Sequence, residues 1–199
     1  MGIVKQVGRR EVSLRIQERR QVPSPLWRVT LSLGIPKGNR MDQAIDQATQ
    51  LGVSAVIPLI TARGVVKIPP SGTGSKQARW RQIAVEAAKQ CGVDRLPEID
   101  PPIPWAELLR TLPSYDRVLI ATVEGPHEPI RPLLSGGSAR NLLLLIGPEG
   151  DFTPEEIQQA VQAGAHRIGL GPTVLRCETA AVVALGLLSF LLRKEGSAG

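Results

Sequence analysis

Aromatic side chains are scarce in this chain of 199 residues: three Trp, two Phe and one Tyr, 3% of the total. A core made from it must be aliphatic, and the 42% apolar content suffices for one. Cysteine is scarcer still. Cys91 and Cys177 are the only two, and no metal-ligand spacing relates them. Neither a disulfide framework nor a metal site is expected, and a reducing, cytoplasmic setting fits. The two histidines, His127 and His166, stand in no Cys–His context, so Cys177 reads as a buried structural thiol rather than a nucleophile. Met1 is followed by no secretory pattern. The longest mostly apolar run, residues 180 to 192, has 13 residues, short of the roughly 20 that span a bilayer. A soluble protein without a membrane partner is expected.

What is present is unevenly spread. The net charge is +6, yet residues 1 to 40 carry nine basic side chains against two acidic ones, and the remaining 159 residues carry 15 against 16. The excess lies at one end, where Arg9, Arg10, Arg15, Arg19 and Arg20 cluster. Such a patch attracts a polyanion, nucleic acid first among them; a solvated edge that aids solubility is the plainer alternative.

Hydropathy rhythm divides the chain. EVSLRIQ, residues 11 to 17, alternates strictly, with Val12, Leu14 and Ile16 on one face. Together with GIVKQV and the turn at Gly8 it predicts a half-buried β-hairpin over residues 2 to 17. A hairpin this small must pack on the rest or belong to a larger β-unit. RQVPSP, 20 to 25, reads as a linker. WRVTLSL (27 to 33), an amphipathic helix marked by Met41, Ala44, Ile45, Ala48 and Leu51, and SAVIPLI (54 to 60) then form a β-α-β unit. A helix over 76 to 92, strands at 117 to 124, 142 to 146 and 166 to 171, a helix over 154 to 163, and a last helix over 178 to 192 complete the series. LLLLI at 142 to 146 has no polar face, as suits the centre of a parallel sheet covered on both sides. The fold class is therefore α/β with a mostly parallel sheet, residues 27 to 199, behind a small basic β-appendage, residues 1 to 26.

Two turns stand out. In LLLLIGPEGDFTPEEI, 142 to 157, Thr153-Pro154-Glu155-Glu156 combines an N-cap, a proline at the first helical position and a capping box. These signals leave Gly147-Pro148-Glu149-Gly150 unexplained. Glycines at a strand C-terminus let a ligand approach the backbone, and ligands of open α/β sheets lie at that end. Glu149 and Asp151 crowd out a phosphate, and no Walker-type or GxGxxG motif is present, so a cationic or neutral ligand fits better. A tight turn without a ligand is the alternative. In LGPTVLRCETA, 170 to 180, Arg176 reads either as half of an internal ion pair with Glu178 or as a cation for an anionic substrate.

The two turns together resemble the paired C-terminal motifs of the SPOUT methyltransferases. The chain is most similar to the group that methylates N3 of a uridine in bacterial 16S rRNA, the small-subunit rRNA methyltransferase E family. KGNRMDQAIDQATQLGVSAVIPLITARGVV, RWRQIAVEAAKQCG and LPEI support the subgroup. The likeness runs from about residue 28 to the C-terminus. It implies a deep C-terminal trefoil knot, S-adenosylmethionine held in the knot loops, and a homodimer with 16S rRNA or the 30S subunit as partner. By match, Ile146, Gly147, Glu149 and Gly150 form one cofactor loop, and Leu170, Gly171, Leu175, Arg176, Thr179 and Ala180 the other. Arg176 is the expected catalytic cation, with Glu178 positioning it. Lys37, Arg63, Gln90 and Arg95 join the basic N-terminal cluster as RNA contacts.

The chain departs from that family's pattern in three places. Its PUA-like β-barrel is represented by only about 25 residues. Lys89 and Val93 replace both charged ends of a Glu-Gln-x-x-Arg pattern, and Thr173 replaces a common Arg. A related enzyme acting on another RNA, such as tRNA, and a non-catalytic RNA-binding or assembly protein are the competing readings.

Overall fold

The computed structural model describes residues 2–9, 11–19, 21, 27–66, 72–135 and 140–192. Two strands open the chain, β1 (Gly2–Val7) and β2 (Val12–Ile16). The main body follows as β3 (Arg28–Gly34), α1 (Arg40–Gln50), β4 (Ala55–Ile60), α2 (Thr73–Cys91), β5 (Glu98–Ile99), β6 (Ile103–Pro104) and α3 (Trp105–Thr111). Then come β7 (Arg117–Ala121), α4 (Ile130–Leu134), β8 (Asn141–Ile146), α5 (Pro154–Gln162), β9 (His166–Ile168) and α6 (Cys177–Leu191).

The body holds one sheet in the order β5-β4-β3-β8-β7-β9, with β6 also on β4. Every pair in it is parallel. β8 lies between β3 and β7, so both edges of its backbone are bonded and both faces are covered. Leu142, Leu143, Leu144 and Leu145 are wholly buried, which is why this strand shows no polar alternation. Successive strand residues point to opposite faces. Leu31, Leu33, Leu142, Leu144 and Ile146 join α1, α2 and α6 in one core. Ile57, Leu59, Leu143 and Leu145 join α3 and α5 in the other.

Several boundaries move from their expected places for local reasons. The strand expected to reach Glu124 stops at Ala121: the Thr122 amide makes the last bond to β9, at the Ile168 carbonyl, and the Val123 amide turns to Asp151 instead. The expected 166–171 strand ends at Ile168; Gly169 is pressed against the His127 ring, where an added Cβ would sit 2.7 Å from Nδ1. α2 begins at Thr73 rather than residue 76.

The hairpin exists as expected, antiparallel and with a register shift between Val4 and Gln6. Its expected half-burial does not. Val12, Leu14 and Ile16 are all more than half exposed, since no other described element packs on β1 or β2. Most of the linker, residues 22 to 26, lies outside the described residues. α6, apolar nearly all round, is also split: Ala181, Ala184 and Leu188 are buried against α1 and the sheet, whereas Leu187 and Phe190 face outward. No described helix is long and apolar enough to cross a membrane.

One close approach sets where the site lies. A Cβ on Gly34, at the end of β3, would stand 2.5 Å from Pro148 Cδ and 2.6 Å from Pro148 N. The turn after β8 therefore rests directly on the β3 backbone. Gly34→Ala is expected to destabilise the fold by about 1–3 kcal/mol through this overpacking. Urea unfolding checks it; a midpoint equal to that of the parent chain would contradict the close approach.

Candidate active site

β7, β8 and β9 all end on the same side of the sheet, and the two marked turns meet there. In the first, the Asp151 amide donates back to the Pro148 carbonyl at 2.9 Å, and Asp151 takes a left-handed φ of 57°. Its side chain explains that backbone, since Asp tolerates this region through local hydrogen bonds. Oδ1 accepts the Phe152 amide at 2.7 Å, and Oδ2 accepts the Val123 amide at 3.2 Å. Asp151 thus ties the turn to the end of β7. Behind it, Arg63 Nη1 donates to the carbonyls of Gly150 and Phe152 at 2.8 and 3.2 Å.

The capping box is present. Thr153 Oγ1 accepts the Glu156 amide at 3.1 Å and Glu156 Oε2 accepts the Thr153 amide at 2.9 Å. The second oxygen of the buried Glu156 accepts the Ala62 amide at 2.8 Å, linking α5 to the segment after β4.

Glu149 is occupied too. Its Oε1 accepts the Lys37 amide at 3.0 Å and Arg40 Nη1 at 2.6 Å. Burial pushes its pKa up, but hydrogen bonds from its own amide, the Lys37 amide and Arg40 outweigh that and hold it below the ordinary carboxylate value. A carboxylate with a depressed pKa stabilises the structure above its unfolded pKa and loses that contribution as pH falls through the folded value. The two acids of the turn, read as compatible with a cationic or neutral ligand, are bonded within the protein.

The second turn runs from Leu170 to Arg176. Gly171 has φ of +127°, and no atom lies within 4 Å of where its Cβ would be. Only glycine suits this backbone, and its open face looks onto a cavity of about 120 Å³. Of the ten expected cofactor residues, Ile146, Gly147, Glu149, Leu170, Gly171, Leu175 and Ala180 line it; Gly150, Arg176 and Thr179 do not. Pro148, Asp151, Pro172, Thr173, Val174 and Cys177 line it as well. Ala121, Thr122 and Val123 at the end of β7 form another side. They carry no motif. Their signal was a strand end next to β8, where an open sheet binds ligands. A wider cleft of about 940 Å³ shares Val123, Glu149 and Asp151 with the cavity and contains Gly150 and Arg63.

The expected pairing of Glu178 with Arg176 is corrected by the geometry. Arg176 is the N-cap of α6, with extended backbone, and its exposed side chain makes no ion pair among the described residues. Glu178, one helical step inside, turns into the protein: its Oε1 lies 3.9 Å from Arg40 Nε and its Oε2 accepts the Cys177 thiol at 3.4 Å. Of the expected RNA contacts, Arg9, Arg15 and Arg19 are exposed at the hairpin and beyond it; Arg10 and Arg20 lie outside the described residues. Lys37 projects from the loop before α1, Gln90 sits near the end of α2 and Arg95 just past it, and none of these three lines the cavity.

Comparison with known proteins agrees with this arrangement. The family model for an RNA methyltransferase domain matches residues 22–189. Ribosomal RNA small subunit methyltransferase E of Bacillus subtilis is 33% identical over 180 residues, covering 87% of this chain and 68% of that protein. Its counterpart from Mycobacterium bovis is 32% identical, covering 95% and 73%. A methyltransferase from Legionella pneumophila, solved with bound S-adenosylmethionine, superposes with a TM-score of 0.86 at 32% identity, covering 95% of this chain and 77% of that one. The chain belongs to the ribosomal RNA small subunit methyltransferase E family of RNA methyltransferases.

Cys177 is buried as expected. Burial, and then the hydrogen bond and charge of Glu178, push its thiol pKa up to about 12. Because the thiolate is the reactive form, iodoacetamide near pH 8 is expected to label exposed Cys91 alone in the folded protein and both cysteines after denaturation. Peptide mass spectrometry checks this; labelling of Cys177 in the native state would contradict its environment.

Proposed function

We propose that the protein transfers the methyl group of S-adenosylmethionine to N3 of a uridine in 16S rRNA. The observation that carries this reading is the cavity where the two glycine turns meet, walled by Ile146, Leu170, Leu175 and Ala180 and open at the Gly171 backbone. The residues fit the cofactor: apolar walls suit an adenosine, and the missing Cβ of Gly171 leaves room for close approach. The relatives' small-subunit rRNA activity and the cofactor bound in a solved neighbour support the same reading.

When bound, the cofactor supplies an electrophilic sulfonium methyl, so the protein's share is chiefly proximity and orientation. For the methyl to pass to N3, the N3 proton would go to solvent water and the neutral thioether would leave. A cation near the uracil oxygens favours that loss by stabilising the charge that develops there. Arg176 serves as that cation: it stands at the end of the second turn with its side chain exposed, and Glu178 is directed away from it toward Arg40.

The finer architecture belongs to the same proposal. Residues 27 to 199 form the methyltransferase domain, whose C-terminal segment threads a trefoil knot. Residues 1 to 26 are part of a PUA-like β-unit that contacts RNA through its arginines. The outward face of α6, with Leu187 and Phe190 exposed, pairs two copies into a homodimer. The protein works in the cytoplasm, where its rRNA substrate is made.

Arg176→Ala is expected to abolish methyl transfer, a loss of at least about a hundredfold for a donor to developing charge, with cofactor binding largely intact. Turnover on 30S subunits and on naked 16S RNA, with calorimetry for the cofactor, checks both halves. Unaltered turnover would overturn the assignment of Arg176, and methylation mapped to tRNA would overturn the substrate.

A further inference from the structure

Arg40 is absent from both turns and from the cavity wall, yet it reaches the first turn and the start of the helix that follows the second. It is the first residue of α1. Nη1 donates to Glu149 at 2.6 Å, in the turn after β8, and Nε lies 3.9 Å from Glu178, in the first turn of α6. The second contact is longer than a hydrogen bond and acts through charge. We propose that Arg40 is a positioning residue that clamps the two lips of the cofactor cavity together, so that cofactor affinity depends on a side chain that does not touch the cofactor. The inference rests on the proposed identity of the cofactor.

The argument is one of unequal burial and shape. Glu178 is 9% exposed. Its remaining support is the Cys177 thiol and the N-terminus of α6. A buried carboxylate deprived of its cation is drawn toward water. That movement releases the start of α6, and with it the end of the Leu170–Arg176 turn. Glu149 retains the Lys37 amide but loses its shortest contact, which loosens the other lip. Only a forked, planar cation addresses both carboxylates at once; a lysine ammonium is a single point charge.

Arg40→Met and Arg40→Lys are compared with the parent chain. Calorimetry with S-adenosylmethionine is expected to show Kd about tenfold higher for Arg40→Met, a coupling typical of residues sharing one network, and an intermediate value for Arg40→Lys. Adding Glu149→Gln to Arg40→Met is expected to weaken binding less than the product of the two single effects. Native hydrogen exchange is expected to quicken in residues 147–151 and 170–178 together. Wild-type Kd in Arg40→Met, full rescue by lysine, or fully multiplicative effects would overturn the clamp. If Arg40→Met does not fold, Arg40→Lys gives the same readouts with smaller shifts. Should the parent chain not bind S-adenosylmethionine, the cofactor assignment fails. The exchange measurement still judges the clamp: quickening in one turn only, or in neither, would overturn it.

Discussion

Two backbone amides converge on the carboxylate of Glu156. Ala62 comes from just past β4, and Thr153 is the N-cap of α5. With both oxygens taken and the side chain buried, the carboxylate fixes α5 against a strand two positions away in the sheet. Everything between Ile146 and Thr153 must then close a fixed gap. Gly147 lets Asp151 come close, since a Cβ there would stand 2.8 Å from Asp151 Oδ1; Asp151 holds the left-handed corner, and Pro148 settles onto Gly34 because that residue has no Cβ. The shape of the cavity's first wall follows from these anchors. The capping box that looked like simple helix initiation is part of a staple between distant segments.

The same logic explains the acids of the turn. Read in isolation, Glu149 and Asp151 crowd the end of β8 with negative charge. In the fold each is satisfied from another element: Asp151 by the end of β7, Glu149 by the loop before α1. The cavity they border also carries apolar side chains (Ile146, Leu170, Leu175, Ala180) beside the hydroxyls of Thr122 and Thr173.

Much of this was legible in the sequence, and the reason is periodicity. β3, β4, β8, α1, α5 and α6 each carry a clear apolar rhythm or cap, and the fold class and family follow from their order and the two glycine-rich turns. The stretches 96–104 and 126–134 hide β5, β6 and α4 because those elements are short and interrupted by proline. Arg40 was hidden for a different reason. Its partners lie 109 and 138 positions away, and no local pattern marks a side chain whose role is to join loops. The hairpin shows the converse. Its alternation is real, but alternation states which face could be buried, not whether anything covers it.

The three tryptophans divide between the two sides of the sheet. Trp80 is buried in the core beneath α1, α2 and α6, with Trp27 packed at its margin. Trp105 belongs to the opposite core, its ring 5.3 Å from that of Phe152, the first residue past the GPEGD turn. Its indole nitrogen also bonds to Gln159 of α5. Two of the three tryptophans thus lie on one side of the sheet and one on the other, and the one on the α5 side sits a single aromatic contact away from the site. A conformational change confined to that turn would alter the surroundings of Trp105 and leave those of Trp80 and Trp27 in place.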